Sequence, residues 1–143
     1  MDLIYSKSTL LLNSVLPILM YWYLCSPVYA QQNTNYSQFD KMLPIIDSTI
    51  FISNYDKVFI VHFNFCTSTK YCGQHLINYM LAAKGSRILV VCENTNAKIL
   101  DPLKTSDRFE FKEISNLTLT QYGLFSVYNL LILPGKKKIK KLL

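Results

Sequence analysis

The chain is constrained most by the stretch from Val58 to Met80. Val58, Phe59, Ile60 and Val61 run together, with Phe63 and Phe65 following. A short apolar run of this kind predicts a buried strand over Val58 to Phe65, in the middle of a sheet. The run gives way to the polar loop Thr67-Ser68-Thr69-Lys70, bounded by Cys66 and Cys72. Leu76, Ile77, Met80 and Leu81 then recur at helical spacing and predict a helix over residues 73–84. Two cysteines therefore flank a strand-to-helix turn. Cys72 falls in the first helical turn, where free N–H groups and the helix dipole favour a thiolate.

A second buried strand is expected from Arg87 to Cys92, and Gly85 before it suits the left-handed cap of the helix. Strand, helix and strand make a parallel unit. Between Glu93 and Ser106 the pattern allows a short helix around Asp101-Pro102. Arg108 to Ile114 alternates, with Phe109 and Phe111 on one side and Glu110 and Lys112 on the other, which favours a strand. Asn116 to Gly123 reads as a loop or short helix. Val127 to Leu133 reads as a strand, Pro134-Gly135 as a tight turn, and Lys136 to Leu143 as a final edge strand. The fold class is α/β, a mixed sheet with flanking helices.

The 143 residues suffice for one domain, and half of them are hydrophobic, so a real core can form. The net charge is +6, but five of the fifteen basic residues lie in the last eight positions. Fifteen less five leaves ten basic against nine acidic, so the surplus belongs to the end of the chain.

Residues 1–30 are expected to be a signal peptide or an N-terminal membrane anchor. An apolar segment from Leu10 to Leu24 leads to Val28 and Ala30, the small residues a signal peptidase reads. Cleavage is expected after Ala30; the alternative is an uncleaved anchor over residues 10–30. Bulky Trp22, Tyr23 and Leu24 argue against lipidation at Cys25. Either outcome puts the chain outside the cytoplasm, in a bacterial periplasm or secreted, where a disulfide is permitted. Residues 31–56 read as a linker and lead-in helix, with Phe39, Met42, Leu43 and Ile46 at helical spacing and Pro44 limiting or bending it. Residues 57–143 form the remaining domain.

This order, with a cysteine opening the first helix of the domain, resembles the thioredoxin-like superfamily and its extracytoplasmic TlpA-like branch. The resemblance covers about residues 57–143. Its later part rests on Tyr122-Gly123-Leu124-Phe125-Ser126-Val127 and on Leu130-Leu131-Ile132-Leu133-Pro134-Gly135-Lys136-Lys137. It implies thiol–disulfide chemistry, with Cys72 as the reactive thiol and Cys66 as its resolving partner. The family's Cys-x-x-Cys is absent, because Thr69 stands where the attacking cysteine would be. Tyr128 stands where the family has a cis-proline, so a trans peptide is expected there. Thr69-Lys70-Tyr71-Cys72 also resembles the Thr-x-x-Cys of peroxiredoxins, which implies peroxide reduction at Cys72.

Three functions follow. One is a divergent thiol–disulfide role through Cys72 and Cys66, acting on protein thiols or disulfides. The second is a non-catalytic binding module that docks a protein partner on the surface around Thr67 to Tyr71, with Lys70, Tyr71 and Tyr128 as contacts. The third is peroxide reduction at Cys72. Cys92 reads as an inert core thiol. His62 and His75 read as one packed and one surface histidine; with Cys66 and Cys72 they match no common zinc spacing. No metal or cofactor is expected, and no phosphate-binding loop or serine elbow occurs. Lysines 136–141 suit a solubilising edge or a membrane-surface contact; no aromatic residues interleave them, against nucleic acid. Asn35-Tyr36-Ser37 and Asn116-Leu117-Thr118 fit the glycosylation pattern, meaningful in a eukaryotic secretory pathway.

Overall fold

A computed structural model describes residues 35–63 and 73–142. The first helix, α1 (Tyr36–Ile46), starts where the Asn35 side chain accepts the Ser37 N–H at 3.0 Å. Pro44 lies inside this helix, which nonetheless continues to Ile46, so the proline does not end it. Then come β1 (Lys57–Val61), α2 (Gln74–Ala82), β2 (Ile88–Cys92), α3 (Asp101–Lys104), β3 (Phe109–Glu113), α4 (Asn116–Gln121), β4 (Asn129–Leu133) and β5 (Lys138–Leu142). The strands form one mixed sheet in the order β3-β2-β1-β4-β5. β1, β2 and β3 are parallel, while β4 runs antiparallel to β1 and β5 antiparallel to β4. The expected central strand is therefore central.

Alternation along the strands sorts the core into two faces. Val58 and Ile60 join Leu89, Val91, Leu130 and Ile132 on one face, under Phe39 and Leu43 of α1 and Leu119 of α4. Phe59 and Val61 join Ile88, Val90 and Leu131 on the other, under Leu76, Ile77 and Met80 of α2 and Leu103 of α3. The lead-in helix is thus one of the layers of the core. Gln38 of α1 also donates to the Tyr122 and Gly123 carbonyls, tying it to the end of α4. Gly123 turns the chain there at φ 68, and a Cβ would lie 2.9 Å from the Gln38 amide nitrogen.

Three boundaries differ from the sequence expectation. β1 ends at Val61, short of the predicted Phe65, because the next N–H, that of His62, goes to the Asn129 side chain at 2.8 Å. Residues 64 and 65 lie outside the described residues. α2 ends at Ala82, because Ala83 is extended; Arg108 of the neighbouring chain segment donates to the Leu81 and Ala83 carbonyls instead. Gly85 is accordingly not a left-handed cap; it has φ 148 and lies where a Cβ would meet that of Asp56 at 3.0 Å. At the last hairpin the left-handed residue is Lys137, with φ 45, following a 3₁₀ turn at Pro134–Lys136. Among the described residues, no helix is long and apolar enough to cross a membrane. The expected signal or anchor segment lies outside the described residues.

Candidate functional site

The carboxyl ends of β1, β2 and β3 point the same way, and β1 is where the pairing changes from parallel to antiparallel. In open α/β sheets, ligands and chemistry collect at that end of such a strand. His62 follows β1 directly and is 3% exposed. Two asparagines hold it. Asn129, the first residue of β4, accepts its backbone N–H. Asn116, the first residue of α4, lies 2.7 Å from its ring Nδ1 through Oδ1. The other end of the Asn116 amide donates to a carboxylate oxygen of Glu93 at 3.1 Å.

The Glu93 contact orients the amide. A carboxylate only accepts, so Asn116 must turn Nδ2 toward it and Oδ1 toward His62. The Nδ1 of His62 then carries the proton, and Nε2 is the basic nitrogen. Burial pushes the imidazole pKa below its ordinary 6.5, while the Asn116 bond and the Glu93 charge pull less strongly the other way. His62 is therefore neutral at neutral pH. The ring of Phe125 packs against it at 5.2 Å between centroids.

An open cleft of about 580 Å³ lies beside this cluster, lined by Ile46, Asp47, Ser48, Glu93, Glu113, Ile114, Ser115 and Thr118. Its carboxylates are engaged. Glu113 accepts from the N–H and hydroxyl of Thr95, and Asp47 from those of Thr49. Those Thr49 bonds hold the Asp47 carboxyl below the usual range. Among the described residues, no group of three or more His, Cys, Asp or Glu is placed to hold a metal ion.

Cys66, Thr69, Lys70, Tyr71 and Cys72 lie outside the described residues. By connectivity they fall in the segment that leaves His62 and Phe63 and returns at Gly73, ahead of α2. Tyr128 immediately precedes β4, its N–H given to the Ser126 hydroxyl at 3.1 Å. Its peptide bond is trans, as all are among the described residues. The Lys141 ammonium lies 5.2 Å from the centre of its ring. His75 is exposed on α2 and His62 is packed, as the sequence suggested. Cys92 ends β2 at 2% exposure, and burial pushes its thiol up to about 11.

Sequence reasoning missed Asn116, Glu93 and Asn129. Asn129 left a signal, as the one amide side chain inside the otherwise apolar and aromatic strand expected from Val127 to Leu133. Asn116 was noticed only as a glycosylation pattern; its side chain is committed to His62 through Oδ1 and to Glu93 through Nδ2, the atom that would carry a glycan. Compared with protein-family models, with curated proteins and with solved structures, the chain gives no match.

Proposed function

We propose that this chain is an exported, divergent thioredoxin-like protein with a thiol–disulfide redox role outside the cytoplasm. The observation that carries the reading is connectivity. The cysteine-bearing segment departs from the carboxyl end of the central strand, one residue after a buried neutral histidine, and returns to open a helix across the same sheet. The strand order, with a parallel strand–helix–strand unit followed by an antiparallel hairpin, supports the thioredoxin-like part of the reading.

In the proposed reaction the Cys72 thiolate attacks a disulfide sulfur of a partner protein. A mixed disulfide forms and one partner thiolate leaves. The Cys66 thiolate then attacks Sγ of Cys72, releasing the second partner thiolate and leaving a Cys66–Cys72 disulfide. The chain's dithiol is oxidised and the partner is reduced by two electrons. The reverse sequence oxidises partner thiols.

The second reading is a non-catalytic binding module. It is favoured by Leu117, Tyr122 and Val127, which expose apolar side chains at and beyond α4, on the way to Tyr128. Alkylation of the reduced protein across a pH series, with each cysteine followed by mass spectrometry, separates the two. Redox function requires Cys72 to reach half its limiting rate below about pH 7.5. Cys92, buried and with its pKa raised to about 11, serves as the silent internal reference. A Cys72 that reacts no faster than Cys92, or only above about pH 8.5, leaves the binding module.

A further inference from the structure

From Ile114 to the end of the chain no Asp or Glu occurs, while Lys136, Lys137, Lys138, Lys140 and Lys141 all fall within six positions. The fold puts these five lysines on one rim. Lys136 and Lys137 are in the hairpin turn, and Lys138, Lys140 and Lys141 lie on β5, the outermost strand; all five are exposed. β5 pairs with Asn129–Leu133 of β4, a largely buried strand that carries no charged side chain. Lys141 is held against the Tyr128 ring.

Protecting a sheet edge from unwanted pairing explains lysines on β5. It does not explain Lys136 and Lys137, which sit in the turn, where there is no strand edge to guard. We propose that the β5 rim, from Lys136 to Lys141, docks the protein on an anionic phospholipid surface. Lys138 and Lys140 share one face of this outer strand and Lys141 lies on the other, so with the turn lysines they line the sheet edge over roughly 17 Å, and that edge is what meets a plane of repeated negative headgroups. No aromatic side chain alternates with the lysines to stack on nucleobases. The export expected for this chain also brings a bilayer leaflet within reach. The inference rests on the export part of the proposed function and not on its redox part.

The test is co-sedimentation of the full chain with vesicles of phosphatidylcholine alone and of phosphatidylcholine with phosphatidylglycerol, over a salt series. Binding to the neutral vesicles measures insertion by the apolar segment, and the increment on anionic vesicles measures the rim. The increment should fall about fivefold for each lysine replaced, so Lys136→Gln with Lys140→Gln weakens it about 25-fold and all five replacements remove it. Replacing Lys41, Lys84 and Lys98 with Gln, elsewhere on the surface, should leave most of it. The increment should also fade with salt. Equal binding to both vesicles, or an increment kept by the fivefold variant, overturns the proposal. So does displacement from anionic vesicles by polyglutamate at equal charge, which would assign the rim to an acidic polypeptide.

Discussion

Phe39→Ala is expected to cost about 3–5 kcal/mol of stability, a large share of the 5–15 kcal/mol typical of a domain. Phe39 is fully buried in α1 and packs in the same cluster as Val58 and Ile60 of the central strand. Truncation removes a large apolar side chain from water-free surroundings and leaves a cavity under the sheet, which rigid strands cannot collapse to fill. Ile45, on the same helix but 62% exposed, supplies the contrast; Ile45→Ala should change stability by about 0.5 kcal/mol or less. Urea unfolding of both variants measures the difference. Equal, small effects would show that α1 does not belong to the core.

Acid should destabilise the protein through His62, beginning well above the carboxylate range. The folded pKa of His62 lies below 6.5, chiefly because burial penalises the imidazolium. Near and below pH 6.5 the unfolded chain therefore binds a proton that the folded chain refuses. The stabilisation is complete above the unfolded pKa and is lost as pH falls toward the folded one. The slope from this one group reaches at most about 1.4 kcal/mol per pH unit. Asp47 and Asp56, whose pKa values are lowered by hydrogen bonds from Thr49 and from Arg87 and Ser86, add acid sensitivity of the same sign only below pH 4. Urea midpoints between pH 7.5 and 5 isolate the histidine. His62→Gln should flatten the profile over that window, whatever it does to stability at pH 7.5. A profile unchanged by the substitution would mean that His62 is solvated in the folded protein.

How much of this was legible in the sequence depended on the range of the interaction involved. The run Val58 to Val61 and the spacing of Leu76, Ile77 and Met80 announced a central strand and the helix across it, because burial of one face imposes a period that local sequence carries. Phe39, Met42, Leu43 and Ile46 announced α1 in the same way. That α1 closes one face of the sheet was not legible, since a helical stripe does not say what it packs against. The end of β1 was overrun because Phe63 and Phe65 continue the apolar pattern, while the group that takes the next N–H, Asn129, is 67 positions away. Gly85 was read as a cap from its neighbours, yet the α2 terminus is satisfied by Arg108, which comes from beyond β2. The pairing of His62 with Asn116 spans 54 positions and leaves no spacing for a sequence to display. The candidate cysteines were legible as residues, and the segment that carries them lies outside the described residues.

The measurement that bears most directly on the redox proposal is the reduction potential of the Cys66–Cys72 couple, from thiol titration in glutathione or dithiothreitol buffers. Equilibrium between about −120 and −270 mV, where working oxidoreductases lie, is the predicted result. A bond that resists reduction below about −300 mV, or the absence of any bond between the two cysteines, contradicts it.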